Sequence, residues 1–426
     1  MTPPDTKLLT IEKPVYGGAF LARDEGKAIF VPLTLPGEQA RLRIVEDKRS
    51  HAVAEAEKIV APSADRIAPA CRHYGACGGC GYQHATYDAQ LGFKQAILRE
   101  TLERAGVEAP EQIDMLAAEP WGYRNRIRLA FDAEGNPGYR GRRSHAVVPI
   151  AECPIAAPLL VRAALALGRL VHELNATARP SEVSLFCDRN ESALLAGFST
   201  SVTAKFRFED FCGKLSAEIS QLAGAECIAE ARDGRPGRRL ARWGAESLTY
   251  HASGFGYRVD HGSFFQVNRW LVDALVDRVT AGQSGSLAWD LFAGVGLFAR
   301  QLAASFLRVV AVELAPASTA ALAQNLAGAS ASTVRSTTQD FLRRAPRAER
   351  PDLIVLDPPR AGLDPESAKR LTEIGAPAMV YVSCDPATLA RDLRALVASG
   401  YAIESLTLAD LFPQTFHLES IARLRR

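Results

Sequence analysis

The stretch Leu287-Ala288-Trp289-Asp290-Leu291-Phe292-Ala293-Gly294-Val295-Gly296-Leu297-Phe298-Ala299 reads as a strand that turns through glycines into a helix. Gly294 and Gly296 let a ligand come close to the backbone, because a residue without a Cβ leaves that space free. Two further apolar runs extend the pattern. Val309 to Val312 ends in Glu313, and Asp352 to Leu356 opens into Asp357-Pro358-Pro359-Arg360. From about residue 256 strands alternate with helices, the signature of a parallel sheet covered on both faces. Glu313 lies roughly twenty residues beyond the glycines, where an acid accepts hydrogen bonds from ribose hydroxyls. Thr338-Gln339-Asp340 follows the expected third strand and is placed to reach a purine base.

A later apolar run, Ala378-Met379-Val380-Tyr381-Val382, ends at Ser383-Cys384-Asp385-Pro386. A cysteine at the carboxyl end of a strand stands where open α/β sheets bind their ligands. Beside the Asp-Pro-Pro-Arg loop, that thiol points to covalent catalysis, which splits one hard step into easier ones. A free thiol has a pKa of roughly 8.5, so Cys384 needs a helix N-terminus or a cation to be mostly ionised. Pro386 to Leu393 begins a helix, with Pro386 suited to its first turn. Glu419, in Phe416-His417-Leu418-Glu419-Ser420 on the expected last strand, is a candidate base. The plainer readings are a buried core thiol, an exposed strand acid and a packed His417.

Eight cysteines in a cytosolic chain do not imply a disulfide framework, because that compartment keeps thiols reduced. Cys187, Cys212 and Cys227 stand singly and read as packing residues. Cys71, Cys77 and Cys80 cluster around Gly78-Gly79, and Cys153 follows in Ala151-Glu152-Cys153-Pro154. Flexible glycines allow several sulfurs to converge, and four thiolates suit either tetrahedral zinc or an iron-sulfur cluster. Proline after the last cysteine favours iron-sulfur. The long gap before Cys153 would pin two distant segments together.

At 426 residues the chain exceeds one ordinary domain. Short strands are expected over Lys7 to Ile11, Phe20 to Arg23, Ala28 to Val31, Gln39 to Val45 and His51 to Ile59, together a small β-barrel. Helices are expected near Asp88 to Ala105 and Leu159 to Leu174. The net charge of +2 excludes an overall positive field, so contact with nucleic acid must come from local patches. Two are visible. In Tyr123-Arg124-Asn125-Arg126-Ile127-Arg128 the strand period of two sets three arginines on one face, able to grip phosphates. Tyr139-Arg140-Gly141-Arg142-Arg143 is the second. No apolar run is long enough to span a bilayer, and the first residues lack a basic-then-apolar leader, so a cytoplasmic protein is expected.

A lone Gly-x-Gly-x-x-Ala also fits a nicotinamide-binding fold. The placement of Asp290, Asp340 and Asp357 around it instead resembles the adenosylmethionine-dependent methyltransferase fold. With Phe265-Gln266-Val267-Asn268, Ser383-Cys384-Asp385-Pro386 and the closing His417-Leu418-Glu419, the chain resembles the RNA uracil-5-methyltransferase family, in its iron-sulfur branch acting on 23S ribosomal RNA. The resemblance implies an α/β protein with a TRAM or OB-like β-barrel over 1–62, a central iron-sulfur α+β domain over 63–255 and a Rossmann-like catalytic domain over 256–426. It implies Cys384 as nucleophile and Glu419 as proton acceptor. It implies S-adenosyl-L-methionine held by Gln266, Phe292, Gly294, Gly296, Glu313, Asp340 and Asp357, and a 4Fe-4S cluster on Cys71, Cys77, Cys80 and Cys153. RNA is the implied partner, with no membrane and no obligate protein partner. The rivals are the same chemistry on transfer RNA, an inactive iron-sulfur RNA-binding protein, and an adenine methyltransferase. Arg360 argues against the last, since it stands where such loops carry a stacking aromatic. Family members often carry Asn where this chain has Leu297 and Asp385. An extra charge at Asp385 is expected to raise the thiol pKa unless a cation offsets it.

Overall fold

A computed structural model describes residues 6–201, 207–230, 237–346 and 349–426. The five expected N-terminal strands form over Thr6–Val15, Ala19–Asp24, Lys27–Pro32, Gln39–Asp47 and His51–Ala61 and close into a barrel. Their alternation is what closes it. Phe20, Ala22, Ile29, Val31, Ala40 and Leu42 point inward and are buried, while their neighbours, Leu21 apart, are at least partly exposed.

The C-terminal part is built on an eight-stranded sheet. Its order is Ala331–Arg335, Phe306–Glu313, Gly285–Leu291, Leu353–Leu356, Ala378–Ser383, Glu419–Arg425, Ala402–Ala409 and Asp114–Leu116. The first five strands are parallel. Glu419–Arg425 then runs antiparallel between two neighbours, a reversal the alternating pattern does not predict. Odd and even positions of the central strands face two separate cores. Ala288, Val309 and Val355 lie in one, Trp289, Val310 and Ile354 in the other. Burial on both faces is why these strands read as continuous apolar runs. Asp114–Leu116, from the expected central segment, completes this sheet beside Ala402–Ala409. The helix Tyr87–Arg104 packs against Pro386–Ala398 at the same edge.

The chain between the barrel and the catalytic strands forms a seven-stranded sheet. From one edge it runs Arg239–Gly244, Leu222–Ala229, Leu194–Thr200, Glu182–Cys187, Arg126–Phe131, Pro137–Arg140 and Val147–Pro149. Helices Pro158–His172 and Phe208–Glu218 cover one face, where Ile127, Leu129, Val183, Leu185 and Phe198 are buried. Cys187, Cys212 and Cys227 sit in that core, as expected of packing residues. No helix among the described residues is long and apolar enough to cross a membrane.

Candidate active site

The order of strands reverses between Gly285–Leu291 and Leu353–Leu356, and at such a switch point the carboxyl ends diverge to leave a crevice. Phe264, Phe265, Gln266, Phe292, Gly294 and Asp357 line a narrow cleft there. Phe292 and both glycines hold positive φ, 67° for Phe292, 56° for Gly294 and 93° for Gly296. A Cβ at Gly294 would meet nothing within 4 Å, so the turn faces open space. A Cβ at Gly296 would lie 2.6 Å from Leu322, so that glycine serves close packing.

Glu313 is tied to this turn. Its carboxylate accepts from Gly294 N–H at 2.9 Å and Ala315 N–H at 2.6 Å. Asp340 stands apart from the cleft lining. It opens the helix Thr338–Arg344, accepts from the Thr337 hydroxyl at 2.9 Å and pairs with Arg343 at 3.3 Å. Asp290, beneath the turn, is a residue the sequence reading left without a role. It is fully buried and accepts from Ala299 N–H at 2.9 Å, while its Oδ1 has no partner. Burial, with Asp357 and Glu313 nearby, pushes its carboxyl up to about 8.

Across the crevice, register brings the candidate nucleophile and base together. Ser383 pairs with Ser420 in the antiparallel ladder, so Cys384 and Glu419 continue as the next opposed positions. Leu356 pairs with Tyr381 and delivers Asp357 to the same end. Glu419 is 6% exposed, and burial with the Asp357 charge raises its carboxyl well above the usual range. The Cys384 thiol is pushed up to about 11, first by burial and then by Glu419 and Asp357, against the lowering effect of Arg360.

Two expectations about the thiol need correction. The helix Pro386–Ala398 does begin beside it, with Pro386 in the first turn, but its N-terminus is spent on Asp385. That side chain accepts from Ala387 and Thr388 N–H, both at 3.0 Å, and from the Tyr16 hydroxyl of the barrel at 3.1 Å. Asp385 is thus a helix cap. The charges that raise the thiol pKa are Glu419 and Asp357. Leu297 is buried at the start of its helix and its carbonyl accepts from Tyr257.

Sequence reasoning also underused His417 and Arg360. The Arg360 guanidinium donates to His417 Nδ1 at 2.9 Å, and burial together with Arg360, Arg124 and Lys94 lowers the imidazole to about 4. It stays neutral and can accept from Arg360. Phe264, 57% exposed at the cleft lip, offers an open aromatic face. The sequence carries no sign of that exposure, because Phe264 reads there as one of two adjacent core aromatics with Phe265.

The four thiols of Cys71, Cys77, Cys80 and Cys153 line one cavity of about 230 Å³, together with Arg124 and Tyr139. Among the described residues no three His, Cys, Asp or Glu side chains converge as ligands of a single metal ion. Of the three arginines expected on one strand face, Arg126 and Arg128 alternate on the strand Arg126–Phe131, while Arg124 precedes it. Arg124 turns to the thiol cavity and the Phe412 ring, 5.8 Å away, and Arg126 donates to the Ser263 carbonyl at 2.6 Å. Only Arg128 is exposed. With Arg140, Arg142 and Arg143 it lines a groove of about 500 Å³ that runs from the barrel past the thiol loop to Phe416.

A switch-point cleft with a glycine turn and an acid on the second strand defines a nucleotide-binding class of α/β proteins, and similarity to known proteins narrows it to methyltransferases. The family model described as tRNA (Uracil-5-)-methyltransferase matches residues 348–426. A Halomonas elongata protein named 23S rRNA (uracil(1939)-C(5))-methyltransferase RlmD is 32% identical, over 98% of this chain and 89% of its own length. A protein of that name from Alkalilimnicola ehrlichii is 34% identical, over 96% and 94%. The crystal structure of Pyrococcus abyssi tRNA (uracil-54, C5)-methyltransferase in complex with S-adenosyl-L-homocysteine is similar with a TM-score of 0.79 and 25% identity. It covers 98% of this chain and 100% of that one. The chain belongs to the RNA uracil-5-methyltransferase family and is an enzyme of that class.

Proposed function

We propose that the protein methylates carbon 5 of one uridine in 23S ribosomal RNA through a transient bond from Cys384 to carbon 6 of the ring. The observation that carries this reading is the placing of Cys384 and Glu419 just past the last ladder pair Ser383–Ser420, close enough that the charges of Glu419 and Asp357 act on the thiol. Carbon 5 of uracil is a feeble nucleophile. Thiolate addition at carbon 6 makes carbon 5 enolate-like, so it can take the methyl group that S-adenosyl-L-methionine supplies as an electrophilic carbon. Glu419 then accepts the carbon 5 proton, the carbon 5–carbon 6 double bond re-forms and the thiolate leaves. Burial raises the Glu419 pKa, which makes its ionised form the stronger base for a carbon-bound proton.

The chain's residues fit the methyl donor. Gly294 leaves open space, Glu313 is an acceptor beside it, and the unpartnered Oδ1 of Asp290 lies below. Gln266, Phe292 and Asp357 line the pocket we assign to it, Gly296 shapes its turn from behind, and Asp340, outside that lining, is assigned to the far end of the donor. Phe264 supplies a face on which the flipped-out uracil can stack.

For the thiol cavity we infer a 4Fe-4S cluster on Cys71, Cys77, Cys80 and Cys153. The void of about 230 Å³ that the four thiols line has room for a multi-atom cluster, and proline after the last cysteine favours iron-sulfur. We further assign the chain three functional units, 1–62, 63–255 and 256–426, with the basic groove between the first two receiving RNA. Ribosomal rather than transfer RNA is favoured by the names of relatives 32–34% identical over nearly the whole chain.

The test is methylation in vitro of naked 23S ribosomal RNA and of bulk transfer RNA, with 5-methyluridine located by mass spectrometry. One modified uridine in 23S RNA is expected. Modification confined to transfer RNA would overturn the substrate assignment.

A further inference from the structure

Resting on that reading, we infer that the open part of the seven-stranded sheet's face away from its helices holds a guanine base of the RNA, next to the target uridine. Four adjacent strands place Arg128, Ser184, Gly197 and Glu226 in one cross-strand row. Arg128 is opposite Ser184, Ser184 opposite Gly197, and Gly197 opposite Glu226. The row floors a cavity of about 310 Å³, walled on its far side by Asp260, His261 and Gly262. Neither the thiol cavity nor the methyl-donor cleft includes Glu226 or Ser184.

The chemistry of the row selects its occupant. Glu226 is 8% exposed, and its carboxylate accepts no hydrogen bond among the described residues. Such a carboxylate repels phosphate, so within an RNA-binding surface its use is to accept from base donors. Guanine alone among the common bases presents two parallel donors, N1–H and the 2-amino group, matching both carboxylate oxygens at once. Its adjoining edge carries the O6 and N7 acceptors that arginine recognises. Arg126 and Arg128 stand across the cavity from Glu226, and Arg126 Nε is buried without a partner. Gly197 keeps the floor between Ser184 and Glu226 clear over two strand spacings, roughly 10 Å, enough for a purine. The Arg126 guanidinium, lying 4.3 Å above the Phe186 ring, offers a flat surface for stacking.

The position relative to the target uridine follows from chain length. Gly262 lines this cavity and Phe264 lines the catalytic cleft. Two residues span at most about 7 Å, so the two sites are neighbours on the scale of one nucleotide step.

RNA hairpins with one 5-fluorouridine in the loop and random bases around it test the assignment. They are incubated with the full chain and S-adenosyl-L-methionine, and the covalently trapped RNAs are sequenced. Guanosine should be enriched at one position beside the fluorouridine, on the order of 5- to 150-fold, as expected for one well-read base. Glu226→Gln should abolish that preference while still trapping RNA. Inosine at that position, lacking the 2-amino group, should be trapped about tenfold less well by the unaltered protein. Enrichment of another base, no enrichment, or a preference unchanged in Glu226→Gln would overturn the guanine site. Failure of the unaltered protein to trap any RNA would instead overturn the covalent reading on which it rests.

Discussion

Raising the pH should speed adduct formation steeply, because the nucleophile is held in its unreactive form. The Cys384 thiol is pushed up to about 11 by burial and by the charges of Glu419 and Asp357. At pH 7 a thiol of that pKa is ionised in about one molecule in ten thousand, against about one in thirty at the ordinary 8.5. Since the shift is upward, the thiolate fraction grows about tenfold per pH unit until the pKa is reached. Arg360 opposes the shift, so Arg360→Met should move the profile to higher pH. Its guanidinium is exposed and screened, and a screened charge is worth about 1 kcal/mol, or about a fivefold slower rate at fixed pH. The assay is single-turnover trapping of a 5-fluorouridine RNA with enzyme in excess, sampled from pH 6.5 to 9.5. A rate flat across pH 6.5 to 9 would refute the reasoning, since it would require a thiolate already formed.

Lys94 and Asp410 form a fully buried pair at 2.5 Å, and Tyr87 donates to the same carboxylate at 2.9 Å. Lys94→Met leaves that charge uncompensated and should cost about 3–5 kcal/mol in urea unfolding, with most of the loss recovered in Lys94→Met/Asp410→Leu. Cys80→Ser should strip iron and acid-labile sulfide from protein purified without oxygen, and equal metal content in the variant would contradict a cluster ligated there. RNA affinity should fall with salt, and Arg142→Ala and Arg143→Ala should each flatten the slope of log affinity against log salt by about 0.7. Unchanged slopes in both variants would remove the groove from the RNA path.

The sequence was most informative where one local pattern fixes both structure and chemistry. All five barrel strands formed where alternation put them, with ends extended by one to four residues at positions such as Val15 and Asp47. The glycine turn, the Asp-Pro-Pro-Arg loop and the cysteine at a strand end all met at one crevice, because each marks the carboxyl end of a strand. What escaped was non-local. Asp114–Leu116 is three residues long, too short for any periodic signal, and is a strand only because Ala402–Ala409 has a free edge. Arg126 and Arg128 alternate on one strand as period two requires, yet Arg126 answers to a carbonyl from residue 263, and Arg124, ahead of the strand, to the thiol cavity. Asp385 looked like a charge beside a thiol and is a cap, a difference decided by one backbone turn. The row from Arg128 to Glu226 joins four strands spread over about a hundred residues, so no window of sequence contains it.

The central claim is that sulfur of residue 384 bonds to carbon 6 of a uridine. Proteolysis of the complex trapped on 5-fluorouridine RNA, followed by mass spectrometry of the cross-linked peptide, reads that bond directly. The account predicts a single nucleotide-bearing peptide containing Cys384, absent from Cys384→Ala. A modified peptide lacking Cys384, or the same adduct in Cys384→Ala, would contradict it.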